Sequence, residues 1–235
     1  MPKAIIFDLG DTIMEERSYN IAAGYDVISK YLCPSATLEE LIMATAKNQT
    51  GNSEFKLLEW INSRLLNPHG LVTAQDVEIK LWKETVSLAL KPDIKRALDF
   101  LVDKNIRIAA ISNAIFSSSC MKVELAKHNI DKYFEFIISS ADYGIRKPGI
   151  EIFELALSTL KIKPQSTWYI GDNWEADIIG STSANMTAVW FKEHFHNHDI
   201  NIDHIKLKNW SEFEDIWEQY AKQDSQQVSR DCGGR

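Results

Sequence analysis

Short apolar runs rich in β-branched residues recur along this sequence, and amphipathic segments of helical length lie between them. The apolar runs span residues 4–7, 106–111, 134–138, 167–170 and 187–191. The helical segments span residues 92–104, 117–129, 149–160 and 174–184. Strands that alternate with helices in this way predict an α/β domain whose doubly wound parallel sheet is covered by helices on both faces. We also expect a last edge strand at 205–207 and a closing helix at 211–220.

A long interruption follows the first predicted strand. Residues 14–91 exceed the length of a single crossover helix, yet their apolar residues recur at intervals of three and four. This periodicity predicts helices over residues 19–32, 38–47, 54–66 and 74–88. We therefore expect a helical cap domain at 14–91, inserted into a core made of residues 1–13 and 92–220. The polar tail, residues 221–235, lacks such periodicity and is expected to be disordered.

Charge and cysteine content narrow the class of protein. The 235 residues include 26 Lys and Arg against 33 Asp and Glu, a formal net charge of −7, and no long basic run is present. This balance disfavours nucleic acid as a partner. Three widely spaced cysteines without a metal-binding pattern fit a reducing cytoplasm. The sequence shows neither a secretory leader nor an apolar run that could span a bilayer, so we expect a cytoplasmic protein without membrane contacts.

Polar residues of distinct chemistry come at or shortly after the ends of four predicted strands. Asp8 follows the first strand and Ser112 the second, whereas Lys147 comes a little after the third and Asp172 after the fourth. Ligands of open α/β sheets bind beyond the carboxyl ends of the strands. We therefore expect two carboxylates, a hydroxyl and an ammonium group to converge on one rim of the sheet.

This combination suits phosphoryl transfer. A carboxylate can attack phosphorus, an ammonium group can neutralise a phosphate oxygen, and a hydroxyl can donate a hydrogen bond to another. A phosphate dianion that faces Asp8 and Asp172 also requires a cation to offset their repulsion. Oxygen ligands without His or Cys favour Mg²⁺ over Zn²⁺. The sequence thus predicts a magnesium-dependent hydrolase of phosphate monoesters.

Four motifs around these residues resemble those of the haloacid dehalogenase superfamily, in the same order and with similar spacing. They are FDLGDT at residues 7–12, ISN at 111–113, RKP at 146–148 and GDNWEAD at 171–177. Each motif is weak by itself, but four in order at strand ends are specific. The resemblance covers the core from residue 4 to 191. It places the insertion where that family carries a helical cap of the first type.

The resemblance implies how a phosphate ester would be held and attacked. Asp8 would be the nucleophile and would form an aspartyl-phosphate. Ser112 and Lys147 would hold the transferring phosphoryl group, and Asn113 would join them in binding the substrate. Water would then hydrolyse the acyl-phosphate.

The resemblance also implies a magnesium site. Asp172 and Asp8 would bind the ion with their carboxylates, and Gly10 would offer its backbone carbonyl. Asp177 would support the site from behind its ligands, and Thr12 would form a hydrogen bond near the turn after the nucleophile. The remaining supporting residues would be Asp11 and Asn173.

One position departs from the family pattern. Phosphatases of this family usually carry a second aspartate two residues after the nucleophile, which acts as general acid and base, but this chain has Gly10 there. A positioned acid contributes about 10²–10⁴-fold in rate, so the departure implies a slower or differently assisted enzyme. Asp11, Glu15 and Glu16 are candidates to replace it.

The sequence allows several interpretations of the function. The first is hydrolysis of a small phosphorylated metabolite whose identity, like the oligomeric state, the sequence does not give. A phosphate-binding or scaffolding pseudoenzyme is the alternative that Gly10 keeps open. A haloacid dehalogenase needs no Mg²⁺, which would leave the acidic segment 171–177 without a purpose, and a phosphomutase normally needs the missing acid.

Overall fold

The parallel sheet predicted from the apolar runs is present. The computed structural model describes residues 1–37, 39–40, 43, 56–66, 70–194 and 202–232. In chain order the strands are β1 (Ala4–Phe7), β2 (Met14–Tyr19), β3 (Val86–Leu90), β4 (Arg107–Ser112), β5 (Ile137–Ser139), β6 (Thr167–Gly171), β7 (Thr187–Phe191) and β8 (Ile205–Leu207). Six of them form one parallel sheet in the order β5-β4-β1-β6-β7-β8, which confirms the α/β fold class.

Helices cover both faces of this sheet and also build the insertion. Among the described residues they are α1 (Ile21–Tyr31), α2 (Leu57–Arg64), α3 (Ala74–Thr85), α4 (Ile94–Asp103), α5 (Ser118–Lys127), α6 (Ser140–Tyr143), α7 (Ile150–Leu160), α8 (Gly180–Ser183) and α9 (Phe213–Cys232). A π-helical segment, Trp174–Ile179, runs directly into α8. Single turns of 3₁₀-helix lie at Asp131–Tyr133, Pro164–Ser166 and Trp210–Glu212.

Strand β1 is the centre of the core. All of its four residues are fully buried, and they alternate between the two faces of the sheet. Ile5 and Phe7 pack in the apolar cluster that includes α4 and the start of α9. Ala4 and Ile6 pack on the other face, against α7. Because both faces of the sheet are covered at β1, all four residues of the strand are apolar and form a continuous run in the sequence.

An antiparallel ribbon of β2 and β3 connects the core to the inserted helices. The sequence analysis did not predict it, and the helix predicted over 74–88 was wrong at its end, since α3 stops at Thr85. Apolar residues at Val86 and Leu88 continue the helical spacing of α3 but also alternate as a strand does. In β2 the middle residues are polar and exposed, so it carries no alternating apolar signal.

The inserted helices pack on the core through α3 and the loop before α5. Ile115 and Phe116 of that loop belong to the same apolar cluster as α1, α2 and α3. The rings of Trp82 and Phe116 meet edge to face with their centroids 5.0 Å apart. The buried Glu78 carboxylate accepts hydrogen bonds from the backbone N–H and the hydroxyl of Ser117, at 2.8 and 2.6 Å. The helical insertion thereby fixes the end of the loop that begins at Ser112.

The chain ends differently from the prediction. Helix α9 extends to Cys232, so residues 221–232 are helical where the sequence predicted disorder. The first turns of α9 bury Phe213 and Trp217 against the core. Once those turns are formed, each further helical residue adds one backbone hydrogen bond for the one residue that it fixes, whereas the first turn must fix three residues for one bond, so a polar segment can continue the helix.

Two predictions concern residues that are not described or only partly so. Most of the helix predicted at 38–47 lies outside the described residues, and so does the beginning of the helix predicted at 54–66. Within the described part of the chain, no helix combines the length and the apolar character that crossing a membrane requires.

Candidate active site

Asp8 lies at the carboxyl end of the central strand, at the bottom of a cleft. Its backbone N–H donates to the carbonyl of Ile170 at 2.8 Å, which continues the pairing of β1 with β6 by one residue. Only 7% of Asp8 is exposed. Burial raises the pKa of its carboxyl group to about 7, against the lowering effect of Lys147. A carboxylate held here is shielded from water and needs positive charge nearby to stay ionised.

Lys147 supplies that charge. Its ammonium group donates to Asp8 Oδ1 at 2.6 Å, to Asp177 Oδ1 at 2.7 Å and to the Tyr169 hydroxyl at 2.9 Å. Burial opposes the charge of Lys147, but attraction to Asp177 and Asp8 holds its pKa well above the ordinary 10.5. Its three donors are therefore matched by three buried acceptors, which fixes the ammonium group at one point.

A glycine makes room for Asp177. A Cβ atom at Gly171 would overlap the carboxylate carbon of Asp177, so only glycine fits at the end of β6. Asp177 Oδ2 accepts the backbone N–H of Asn173 at 2.9 Å, and Asn173 in turn accepts the N–H of Ala176 with its side chain. Both oxygens of Asp177 are thus engaged by the protein, which suits a supporting role.

Asn113 holds the backbone of Lys147. Its amide donates to the Lys147 carbonyl at 2.8 Å and accepts the Lys147 N–H at 3.0 Å. The sequence prediction placed Asn113 among the substrate-binding residues. In the structure its side chain fixes the loop that carries the lysine, and both Asn113 and the neighbouring Ser112 line the cleft.

Asp172 completes the acidic cluster. Its backbone carbonyl accepts the indole N–H of Trp190 at 3.0 Å, and its Oδ2 accepts the Lys192 ammonium at 3.3 Å. Burial and the nearby Asp177 raise the pKa of Asp172. One carboxylate oxygen from each of Asp8, Asp172 and Asp177 lies within 4.8 Å of the other two.

This donor set fits a hard divalent cation. It offers carboxylate oxygens only, which suits Mg²⁺ with water in its remaining coordination positions. Burial is the main cause that raises the pKa values of Asp8 and Asp172, and the nearby Asp177 carboxylate raises both further. Gly10 lines the same cavity.

A cavity of about 810 Å³ lies above these residues, between the sheet rim and the insertion. The predicted site residues that line it are Asp8, Gly10, Asp11, Ser112, Asn113, Lys147, Asp172, Asn173 and Asp177. Thr12 does not line it. Its side chain is buried with a hydroxyl that finds no partner among the described residues, and its carbonyl accepts the indole N–H of Trp210 at 3.0 Å.

The three candidates for the missing acid lie in different places. Asp11 and Glu16 line the cavity. Glu15 lines a separate cavity and accepts the Lys91 ammonium at 2.9 Å, which lowers its pKa. The ion pair with Lys91 stabilises the ionised form of Glu15, which disfavours it as a proton donor.

Two residues of the site were missed by the sequence analysis. Tyr169 is fully buried on β6, and its hydroxyl both accepts from Lys147 and donates to Asp177 at 3.2 Å. A buried tyrosine needs a partner for its hydroxyl, but the sequence does not show which one. Lys192 had a usable signal, because it follows directly after β7 and so satisfies the same strand-end rule that selected Asp8.

The chain is similar in sequence or in fold to known phosphatases. A glyceraldehyde 3-phosphate phosphatase of Methanothermobacter thermautotrophicus is 26% identical over 200 residues, covering 80% of this chain and 85% of that protein. A ribulose-1,5-bisphosphate 5-phosphatase of Halopiger xanaduensis is 28% identical over 207 residues, covering 81% and 85%. The solved structure of a HAD phosphatase from Thermococcus onnurineus matches with a TM-score of 0.64 at 19% identity, over 92% of this chain and 97% of that one.

The family model described as haloacid dehalogenase-like hydrolase matches residues 5–191, from the first strand to the end of β7. This range contains all four motifs and the helical insertion. The chain therefore belongs to the haloacid dehalogenase-like hydrolase family.

Proposed function

We propose that this protein is a Mg²⁺-dependent phosphatase that hydrolyses a small phosphate monoester through an aspartyl-phosphate on Asp8. The observation that carries the proposal is the buried Asp8 carboxylate, held by Lys147 at the bottom of a cavity large enough for a metabolite. The phosphatase names of the two sequence relatives support it.

In the first step an oxygen of Asp8 attacks phosphorus, and the bond between phosphorus and the ester oxygen breaks. Lys147 already binds Oδ1, so Oδ2 is the attacking atom in this proposal. The Lys147 ammonium and the Ser112 hydroxyl offset charge on the phosphoryl oxygens. Bound Mg²⁺ would be held by Asp8, Asp172 and the Gly10 carbonyl, and would neutralise charge on the phosphate.

The leaving oxygen then needs a proton. Asp11 and Glu16 are the carboxyl groups of the cavity near the turn after Asp8, and we assign this transfer to one of them. In the second step water attacks the aspartyl-phosphate at phosphorus, releases inorganic phosphate and returns its proton to the same group. The insertion at 14–91, which we propose as a cap domain, closes the cavity and keeps bulk water away from the acyl-phosphate.

The test is turnover of para-nitrophenyl phosphate by the full chain, with EDTA and with Mg²⁺. We expect EDTA to abolish turnover and added Mg²⁺ to restore it. Full activity in EDTA would refute the metal assignment and favour a dehalogenase. No turnover under either condition, with phosphate still binding, would favour the pseudoenzyme that Gly10 kept open.

A further inference from the structure

One side of the cavity is an apolar wall, and it lies where the leaving group of a phosphate ester must be. We define this apolar wall as the residues Tyr19, Trp82, Val86, Leu88 and Phe116. All come from the ribbon, α3 or the loop that packs on them. The phosphate-binding groups lie on the opposite side, at the rim of the sheet. A bound ester therefore directs its phosphoryl group at the rim and its alcohol at the apolar wall.

The ribbon is built so that its apolar residues face the cavity. In its register Glu16 pairs with Leu88 and Tyr19 pairs with Val86, and the register shifts between Glu16 and Ser18. In an unbroken strand, Ser18 would share the face of Glu16. The bulge adds one residue to β2. As a result Tyr19 lies opposite Val86, at the position that Ser18 would occupy in a regular strand.

The apolar wall offers few polar atoms to a ligand. The indole N–H of Trp82 donates to the buried Glu124 carboxylate at 3.2 Å. The Tyr19 hydroxyl is the other polar side-chain group of the apolar wall. A sugar or polyol placed against this surface would give up several hydrogen bonds to water and find few in return, which is unfavourable. Of the residues that β2, β3 and α3 place on the cavity, Glu16 alone is charged among those described.

We propose that the apolar wall is the leaving-group subsite, and that it selects phosphate monoesters whose alcohol carries a flat, uncharged, apolar group. This inference rests on the proposed phosphatase function. Tyr19 and Leu88 are only half-buried in the protein, so a ring placed against them removes further apolar surface from water. Trp82, Val86 and Phe116 are buried behind them, so the ring would contact mainly the exposed parts of Tyr19 and Leu88.

The experiment compares phenethyl phosphate with glycerol 3-phosphate in the full-length protein with Mg²⁺. Both are primary alkyl esters, so their chemistry is alike and they differ in the body of the leaving group. We expect kcat/KM to favour phenethyl phosphate by at least about tenfold, as one well-placed apolar group can provide. Equal or better use of glycerol 3-phosphate would overturn the proposal.

A matched pair of variants locates the effect. Leu88→Gln places a polar group on the cavity face, whereas Ala89→Gln places the same group on the other face of the same strand. We expect Leu88→Gln to reduce the preference about tenfold and Ala89→Gln to leave it unchanged. Equal losses in both variants would show that the ribbon acts through stability and would refute the subsite.

Binding separates this inference from the proposed function. Calorimetry with phenethylphosphonate and hydroxyethylphosphonate, which cannot be hydrolysed as esters, measures the subsite without turnover. If neither ester is hydrolysed but phenethylphosphonate binds at least about tenfold tighter, and Leu88→Gln removes that difference, the subsite stands and the phosphatase proposal fails. Equal binding of the two phosphonates, or binding of neither, overturns the subsite.

Discussion

Gly10→Asp tests the most unusual feature of the site, the glycine in place of the family's general acid. A Cβ atom at Gly10 would have no heavy atom within 4 Å, and the residue does not adopt the left-handed conformation that favours glycine. The side chain therefore fits without strain. Replacing glycine at such a position stabilises a chain by about 0.4–1 kcal/mol, through the entropy of the unfolded state.

The negative charge that Gly10→Asp introduces opposes this gain in stability. Asp8, Asp11 and Asp172 line the same cavity, so a further carboxylate is repelled when Mg²⁺ is absent. Gly10→Asn is the matched control, since it has nearly the same shape and carries no charge. Both variants share the entropic gain, so the difference between their melting temperatures measures the repulsion between the added carboxylate and its neighbours. We expect this difference to shrink when Mg²⁺ is added.

The catalytic effect should depend on the leaving group. An alkyl phosphate needs a proton on its departing oxygen, whereas the para-nitrophenolate anion leaves readily without one. We expect Gly10→Asp to raise kcat for phenethyl phosphate by up to about a hundredfold, the lower end of general acid catalysis, and to change turnover of para-nitrophenyl phosphate little. The Gly10→Asn variant should not raise kcat for either ester, because its amide is no general acid.

A folded Gly10→Asp variant without any gain on the alkyl ester would refute the idea that proton transfer limits this enzyme. In that case Asp11 or Glu16 already delivers the proton efficiently. One of the two variants Glu16→Gln and Asp11→Asn should then lower kcat for the alkyl ester selectively, and that variant identifies the proton donor.

Three further changes test the site and its support. Asp8→Asn should abolish turnover and keep cooperative thermal unfolding, because the amide can still accept from Lys147 but is a poor nucleophile; wild-type turnover would exclude the covalent mechanism. Gly171→Ala should lower the free energy of unfolding in denaturant by about 1–3 kcal/mol, since its methyl group overlaps Asp177, and an unchanged value would contradict that packing. Burial raises the pKa of Glu78 above 4.5, so ionising Glu78 costs the folded state stability as pH rises from that value through the raised pKa. The melting temperature of wild type relative to Glu78→Gln should accordingly fall over that pH range, and a constant difference would refute the assignment.

The fold was predictable because its signals are local. The inner strands of the sheet bury both faces and therefore appear as apolar runs, of which β1 is the clearest case, whereas the edge strand β8 exposes Lys206. The ribbon was not predictable by the same means. Its strand β2 is mostly polar, and the apolar residues of β3 continue the spacing of the preceding helix, so periodicity alone assigned them to α3.

The site was predictable to the extent that it follows from topology. The carboxyl ends of parallel strands meet at one rim of the sheet, so the sequence alone predicts that Asp8, Ser112 and Asp172 lie close together. The contacts of Lys147 were not predictable in this way. They depend on where a long side chain from a loop ends after packing, and its three partners lie 22, 30 and 139 residues away in the sequence.

The charges of the site explain why cation and substrate should bind together. Asp8, Asp172 and Asp177 face the two ammonium groups of Lys147 and Lys192, which leaves a formal excess of one negative charge. A phosphate dianion that enters this buried cluster meets strong repulsion, because charges interact strongly where water is excluded. A divalent cation alone would be attracted by the excess charge, but Lys147 holds an oxygen of two of the three carboxylates. Each ligand therefore reduces the electrostatic cost of binding the other, because their opposite charges offset each other within the cluster.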